Sequence, residues 1–222
     1  MFTYSLLDKL IINFDRMLSP SNYMSGSRPS PSMKNGNDEQ FSSKQKCDAI
    51  GRMRVNHCGE VCAQALYLGQ AITARNKLTK DKLQHAANEE IEHLSWCATR
   101  IQQLGGKPSI LNPLWFIGSF TIGTIAGIAG DKWSLGFLAE TEKQVGAHLQ
   151  NHIDNWPKFD TNSLAILKQM HIDELDHANT AINCGATPLP SPIPAIMRYS
   201  AKIMTRTTFY IKILRLKEEG KE

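Results

Sequence analysis

Six side chains of the metal-ligand type recur in two matching halves of this chain. Glu60 is followed 30 residues later by Glu90 and then His93, and Glu142 is followed 32 residues later by Glu174 and then His177. An α-helix turns once in about 3.6 residues, so a Glu and a His three positions apart leave the same face and can reach one metal ion. One Glu from each of two helices plus a Glu-x-x-His from each of two others, projecting into a four-helix bundle, is the donor set of a carboxylate-bridged two-metal site. Carboxylate oxygens with one imidazole per metal suit iron or manganese better than zinc or copper. A single Glu-x-x-His arises easily on a solvated helix. Its repetition, each time behind another Glu in a stretch of apolar period, is what carries the reading.

Other side chains compete for these roles. Glu140 lies two residues from Glu142, but Glu142 keeps the repeat interval. Asp173 and Asp176 would point about 100° either side of the ligand face, which places them behind the ligands or in solvent. Tyr67, two turns beyond Glu60, and His148, six residues beyond Glu142, return near the ligand faces. Both are candidates to hydrogen bond to a ligand carboxylate, and His148 reads equally well as a core histidine. Cys47, Cys58, Cys62, Cys97 and Cys184 are odd in number and lack a Cys-x-x-Cys pair, so they read as reduced thiols packed among helices.

The elements that must hold these residues are helices, and the class is all-α. Apolar periodicity predicts four helices over about 48–75, 79–104, 131–156 and 160–183. Thr79 is the expected N-cap of the second, and Gly105, Gly106 and Pro108 are its stop signals. The stretch 110–130 carries no charge over 21 residues, long enough for a membrane span. Pro113 and glycines 118, 123, 127 and 130 argue against a continuous helix there, and the stretch falls where a bundle needs a connection between its second and third helices. It is expected to be a long apolar crossover packed across the bundle end. Residues 194–217 mix Ile196, Tyr199 and Ile203 with Arg198, Lys202 and Arg206, giving a basic amphipathic helix that suits either an anionic membrane surface or a last helix with a solvated face.

Residues 1–41 read as an N-terminal extension: a short amphipathic segment interrupted by Asp8, Lys9, Asp15 and Arg16, hence no secretory signal, then a flexible linker rich in Ser, Pro, Asn and Gly. The domain proper is expected over 42–222, and 41% hydrophobic residues suffice for its core. A net charge of +4 without a basic, aromatic-interleaved stripe excludes a nucleic-acid reading. No glycine-rich dinucleotide fingerprint follows a strand, so reducing equivalents must come from outside or from the substrate itself.

RVNHCGEVCAQALYLGQ around Glu60, NEEIEHL around Glu90 and His93, the NPLW that opens the apolar stretch, ETEKQVGAHL around Glu142 and DELDHANTA around Glu174 and His177 together resemble the demethoxyubiquinone hydroxylases of ubiquinone biosynthesis. The likeness runs from about residue 52 to the C-terminus. It implies a ferritin-like four-helix bundle with extra N- and C-terminal helices and two Fe ions per chain. It implies a monooxygenase that hydroxylates a polyprenylated methoxy-benzoquinol with O2 and an external reductant. It also implies a peripheral place on the cytoplasmic face of the inner membrane, alongside other proteins of the pathway. Carried over by residue, Glu60 and His93 would serve the first iron, Glu142 and His177 the second, and Glu90 and Glu174 would bridge them.

Two other classes remain in view. A ferritin-like iron-storage or peroxide-detoxifying protein would use similar ligands, but would not need the uncharged stretch or the basic C-terminal helix. A non-enzymatic scaffold with these Glu and His residues on its surface would leave the repeated spacing without a purpose.

Overall fold

The structure, a computed structural model, describes residues 28–32 and 41–219, the side chains of 211–219 excepted. Among the described residues six helices follow one another: α1 Ser43–Thr73, α2 Lys77–Gln103, α3 Asn112–Ile128, α4 Asp131–Asp154, α5 Thr161–Asn183 and α6 Pro192–Glu219. No strand occurs among the described residues. The expected amphipathic segment at the N-terminus lies outside them.

Local chemistry fixes where the helices begin and end. Ser42 and Gln45 form a reciprocal capping box at the start of α1, each side chain accepting from the other's backbone N–H. Asn76, not Thr79, caps α2 by accepting from the Leu78 N–H at 2.8 Å, and Thr79 is buried inside the first turn. Asn is the stronger cap and already precedes the apolar period by one more turn, so the helix starts earlier. Gly105 and Gly185, at φ of 76° and 92°, turn the chain off the ends of α2 and α5 in a conformation that residues with a Cβ rarely adopt.

The helices α1 and α2 form one antiparallel hairpin and α4 and α5 the other. The two are pinned together at both ends. At one end Asp131, the first residue of α4, accepts from the backbone N–H groups of Arg75 and Asn76 in the α1–α2 corner at 3.0 and 2.7 Å. At the other, fully buried Arg100 near the end of α2 donates to Asp160, the N-cap of α5, at 2.8 Å and to the Ser163 hydroxyl at 2.9 Å. Trp156 also donates to Asp160 at 2.7 Å, so the ion pair is satisfied on several sides. Two apolar clusters fill the interior, one around Leu66, Leu83, Leu94 and Leu138 and one around Met53, Ile101, Leu149, Trp156 and Leu167.

The apolar stretch departs from expectation in two ways. It is one continuous helix, α3, and it runs along α1 rather than across the bundle end. Pro113 sits in its first turn, where the missing N–H has no helical acceptor to lose. Its glycines are the contact face: a Cβ on Gly123 would press into the Leu66 backbone, 2.8 Å from its Cα, and one on Gly127 would meet the Gln70 carbonyl at 3.1 Å. Gly69 of α1 makes room in turn, lying within 2.8 Å of the Thr124 backbone N were it to bear a Cβ. Asn112 meets His57, and Gly127 meets Thr73, so α3 points the same way as α1 and returns the chain to the end where α4 begins. No helix among the described residues is long and apolar enough to cross a membrane. The outward face of α3 nevertheless exposes Leu114, Ile117, Ile122, Ile125 and Ile128.

The stretch expected to be linker contains a segment that packs. Residues 28–32 lie against α2 and α5, through Arg28 to Glu92, Asp173 and Trp96.

Candidate metal centre

Each hairpin delivers its ligand candidates to the same depth of the bundle: Glu60 from α1, Glu90 and His93 from α2, Glu142 from α4, and Glu174 and His177 from α5. All six are buried. They form two groups in which every ligand atom lies within 4.8 Å of the others: Glu60, Glu90, His93 and Glu174 in one, and Glu90, Glu142, Glu174 and His177 in the other. Glu90 and Glu174 belong to both groups. Glu140 is set apart, accepting from Gln144 at 2.6 Å and facing Arg198.

The histidines are held from behind in a repeated way. His93 turns Nδ1 inward, 3.1 Å from Glu90, 3.3 Å from Glu174 and 3.7 Å from Glu60, while its Nε2 lies 3.1 Å from Asp173. His177 turns Nδ1 inward, 3.5 Å from both Glu142 and Glu174, while its Nε2 lies 2.7 Å from Glu89. A carboxylate acceptor at Nε2 requires the proton there and leaves the Nδ1 lone pair for a metal. Asp173 immediately precedes Glu174, and Glu89 immediately precedes Glu90, so each Glu common to both groups is preceded by the residue that faces the opposite helix's histidine. Asp173 matches one of its two expected places; Asp176 is solvated. Glu89 was not among the sequence candidates, although aligning NEEIEH on DELDH places it opposite Asp173.

Tyr67 donates its hydroxyl to Glu142 Oε1 at 2.5 Å, the contact expected of it. His148 does not reach the cluster by any hydrogen bond: it packs against His152 with ring centroids 4.2 Å apart and the rings tilted by 55°, and its Nε2 is buried without a partner. Burial lowers the basicity of both rings, His152 to a pKa of about 3. Six residues on a helix amount to about 600°, which swings His148 some 120° away from the Glu142 side, far enough to enter a neighbouring layer. The cysteines are free thiols.

The electrostatics mark a place prepared for cations. Glu60 Oε2, Glu90 Oε1, Glu142 Oε2, both oxygens of Glu174 and His177 Nδ1 are buried with no hydrogen-bond partner. Orphaned buried polar atoms are rare because each forfeits its hydration, so a concentration of them around one point fits metal ions well. Burial pushes the Glu60 carboxyl well above its usual range, and the charges of Glu90 and Glu174 add to the push. Burial and the neighbouring Glu174 do the same to Glu142. Burial opposes ionisation of Glu174 too, but the close approach of Glu142, His177 and His93 outweighs it and holds Glu174 low. Burial alone would depress both histidines, yet their carboxylate partners win: Asp173, Glu174, Glu60 and Glu90 raise His93, and Glu142, Glu174 and Glu89 raise His177. Asp173 is drawn down to about 2, its partial burial overcome by His93 and Arg28.

Fold and centre together define an all-α ferritin-like bundle built around a buried carboxylate and histidine metal site. The family model described as "Ubiquinone biosynthesis protein COQ7" matches residues 48–208, and this chain belongs to that family. It is 50% identical over 209 residues to the 3-demethoxyubiquinol 3-hydroxylase of Chromobacterium violaceum, covering 93% of this chain and 100% of the relative. Similar relatives of the same description come from Nitrosomonas europaea, 50% identical over 92% of this chain and 99% of the relative, and from Legionella pneumophila, 49% identical over 95% and 100%.

Proposed function

We propose that the chain hydroxylates a demethoxyubiquinol, with Glu60, Glu90, His93, Glu142, Glu174 and His177 holding two iron ions. The observation that carries this is the pair of four-residue groups sharing Glu90 and Glu174, rich in orphaned donors, in a chain of this family. Iron held there would supply the electrons that activate O2 for transfer to the ring. The protein's own groups do the rest. Asp173 and Glu89 fix the histidine tautomers, and Tyr67 restrains Glu142. The apolar packing around Leu66, Leu94 and Leu138 keeps water from the ring and the cluster.

The substrate class also accounts for the exposed surfaces. Gly69 of α1 lies against α3, and Cys58, three turns earlier, accepts from Thr208 of α6 at 3.5 Å. The helices α3 and α6 therefore pack along the same side of α1, and each keeps an exposed apolar face. Ile196, Tyr199 and Ile203 on α6 stand among Arg198, Lys202 and Arg206, an arrangement suited to the headgroup region of an anionic bilayer on the cytoplasmic side of the inner membrane. A polyprenyl tail would then stay in lipid while its quinol ring enters beside α1. An iron-storage role would give these faces no purpose.

The test is product analysis. Incubation of the iron-loaded protein with a short-chain demethoxyubiquinol, a reductant and 18O2 is expected to give a quinol heavier by one 18O hydroxyl oxygen. Unchanged quinol with consumption of peroxide would contradict the reading.

A further inference from the structure

The two halves of the metal centre repeat each other, yet one is braced from outside the bundle. Arg28 pairs through Nε with Glu92 of α2 and through Nη2 with Asp173 of α5, the latter at 2.9 Å. Its backbone N–H donates to Glu92 at 3.2 Å, its carbonyl accepts from Trp96 Nε1 at 3.4 Å, and its guanidinium carbon lies 5.1 Å from the centre of the Trp96 ring. These contacts fix both the side chain and the backbone of Arg28 across the α2–α5 seam. The Asp173 oxygen it grips, Oδ2, is the one that faces His93 Nε2. Among the described residues the repeat offers no such brace at the equivalent place: Glu89, which faces His177, has exposed His85 at 3.7 Å as its further neighbour, and Arg28 acts on it only through space.

The geometry points to Arg28 as a positioning residue that makes the two metal positions unequal, giving the Glu60 and His93 position a tighter hold on its ion than the Glu142 and His177 position. The inference rests on the metal reading above. Its physical basis is preorganisation. A carboxylate already clamped by a planar guanidinium, with its histidine already turned, loses little freedom when metal arrives, whereas the freer Glu89 must be ordered at that moment. Carboxylates behind metal-bound histidines typically influence metal affinity by about 10–100-fold, and Arg28 acts one contact further out, so about tenfold is expected.

The experiment is anaerobic titration of the metal-free full-length chain with Co(II), followed by visible absorption and calorimetry, so that no turnover is needed. The wild type is expected to fill in two steps separated by about tenfold or more in affinity. Arg28→Gln should weaken the first step by about tenfold and leave the second nearly unchanged, merging the two. Arg28→Lys should restore part of the separation, because an ammonium can meet one of the two carboxylates but cannot fork between them. Glu92→Gln, which takes the charge from the outer anchor without touching Asp173, should reproduce the effect in smaller measure. Two equal wild-type steps, or an Arg28→Gln protein with wild-type steps, would overturn the inference while leaving the metal reading standing. Equal weakening of both steps, or a loss of helicity, would make Arg28 a general brace and overturn it as well. A wild type that takes up no Co(II) would overturn the metal reading and this inference with it.

Discussion

Replacement of Glu60 by Gln should stabilise the metal-free protein and cripple its metal binding. Glu60 is buried, and its ligand oxygen lies within 4.8 Å of those of Glu90 and Glu174 and 3.7 Å from His93 Nδ1. At an effective dielectric of about 20, each carboxylate pair at that separation repels by about 3.5 kcal/mol, while a protonated His93 attracts by about 4.5 kcal/mol. With all groups charged the two repulsions exceed the attraction by about 2.5 kcal/mol, before the burial of the charge is counted. Gln keeps the volume and removes the charge. A domain of this length shifts by about 2–4 °C per kcal/mol, so the metal-free variant should melt about 5–10 °C above the wild type near pH 7.5. The sign with pH follows from linkage. An acid held above its ordinary value of 4.5 binds its proton more tightly folded than unfolded, so metal-free wild type loses stability as pH climbs above 4.5, at up to about 1.4 kcal/mol per unit for each such group. His93 and His177, raised above 6.5, contribute stability that is present below that value and lost as pH rises through their folded values, which adds to the same slope. Thermal melts of chelator-treated protein between pH 5.5 and 8 should show this decline, flatter in the Gln variant and reversed in rank once Fe(II) is supplied anaerobically. A metal-free Gln variant less stable than the wild type at pH 7.5 would refute the reasoning.

Other perturbations test separate links. Gly123→Ala sets a Cβ against the Leu66 backbone and should cost about 1–3 kcal/mol in chemical denaturation by forcing α3 from α1. Glu89→Ala leaves His177 without its acceptor and should weaken metal binding about 10–100-fold in equilibrium titration, with the melting curve little changed. Tyr67→Phe deprives Glu142 of its hydroxyl donor in a dry core, which should cost about 1–3 kcal/mol in denaturant titration.

The six members of the buried cluster were legible because helical geometry converts a three-residue spacing into a shared face, and the repetition of that spacing fixes which face is inward. Tyr67 came from the same arithmetic. His148 did not follow it, because at six residues the angle falls between faces and only packing against His152 decides. The crossover was misjudged for a different reason. Glycines in a lone sequence read as helix breakers, whereas Gly123 and Gly127 are the surface that lets α3 lie against the α1 backbone, a role that exists only once the partner is in place. Arg28 was hidden because its partners Glu92 and Asp173 lie 64 and 145 residues away, and composition describes only its neighbours in sequence. Glu89 was within reach of a comparison between the two halves.

The central claim is that the buried cluster holds two metal ions that serve quinol hydroxylation. The direct measurement is iron per chain together with O2 consumption on addition of a short-chain demethoxyubiquinol, for the wild type, Glu90→Ala and Glu174→Ala. The account predicts about two irons and quinol-dependent consumption in the wild type, and loss of both in each variant with helical content retained. Iron binding and turnover that survive removal of Glu90 or Glu174 would contradict it.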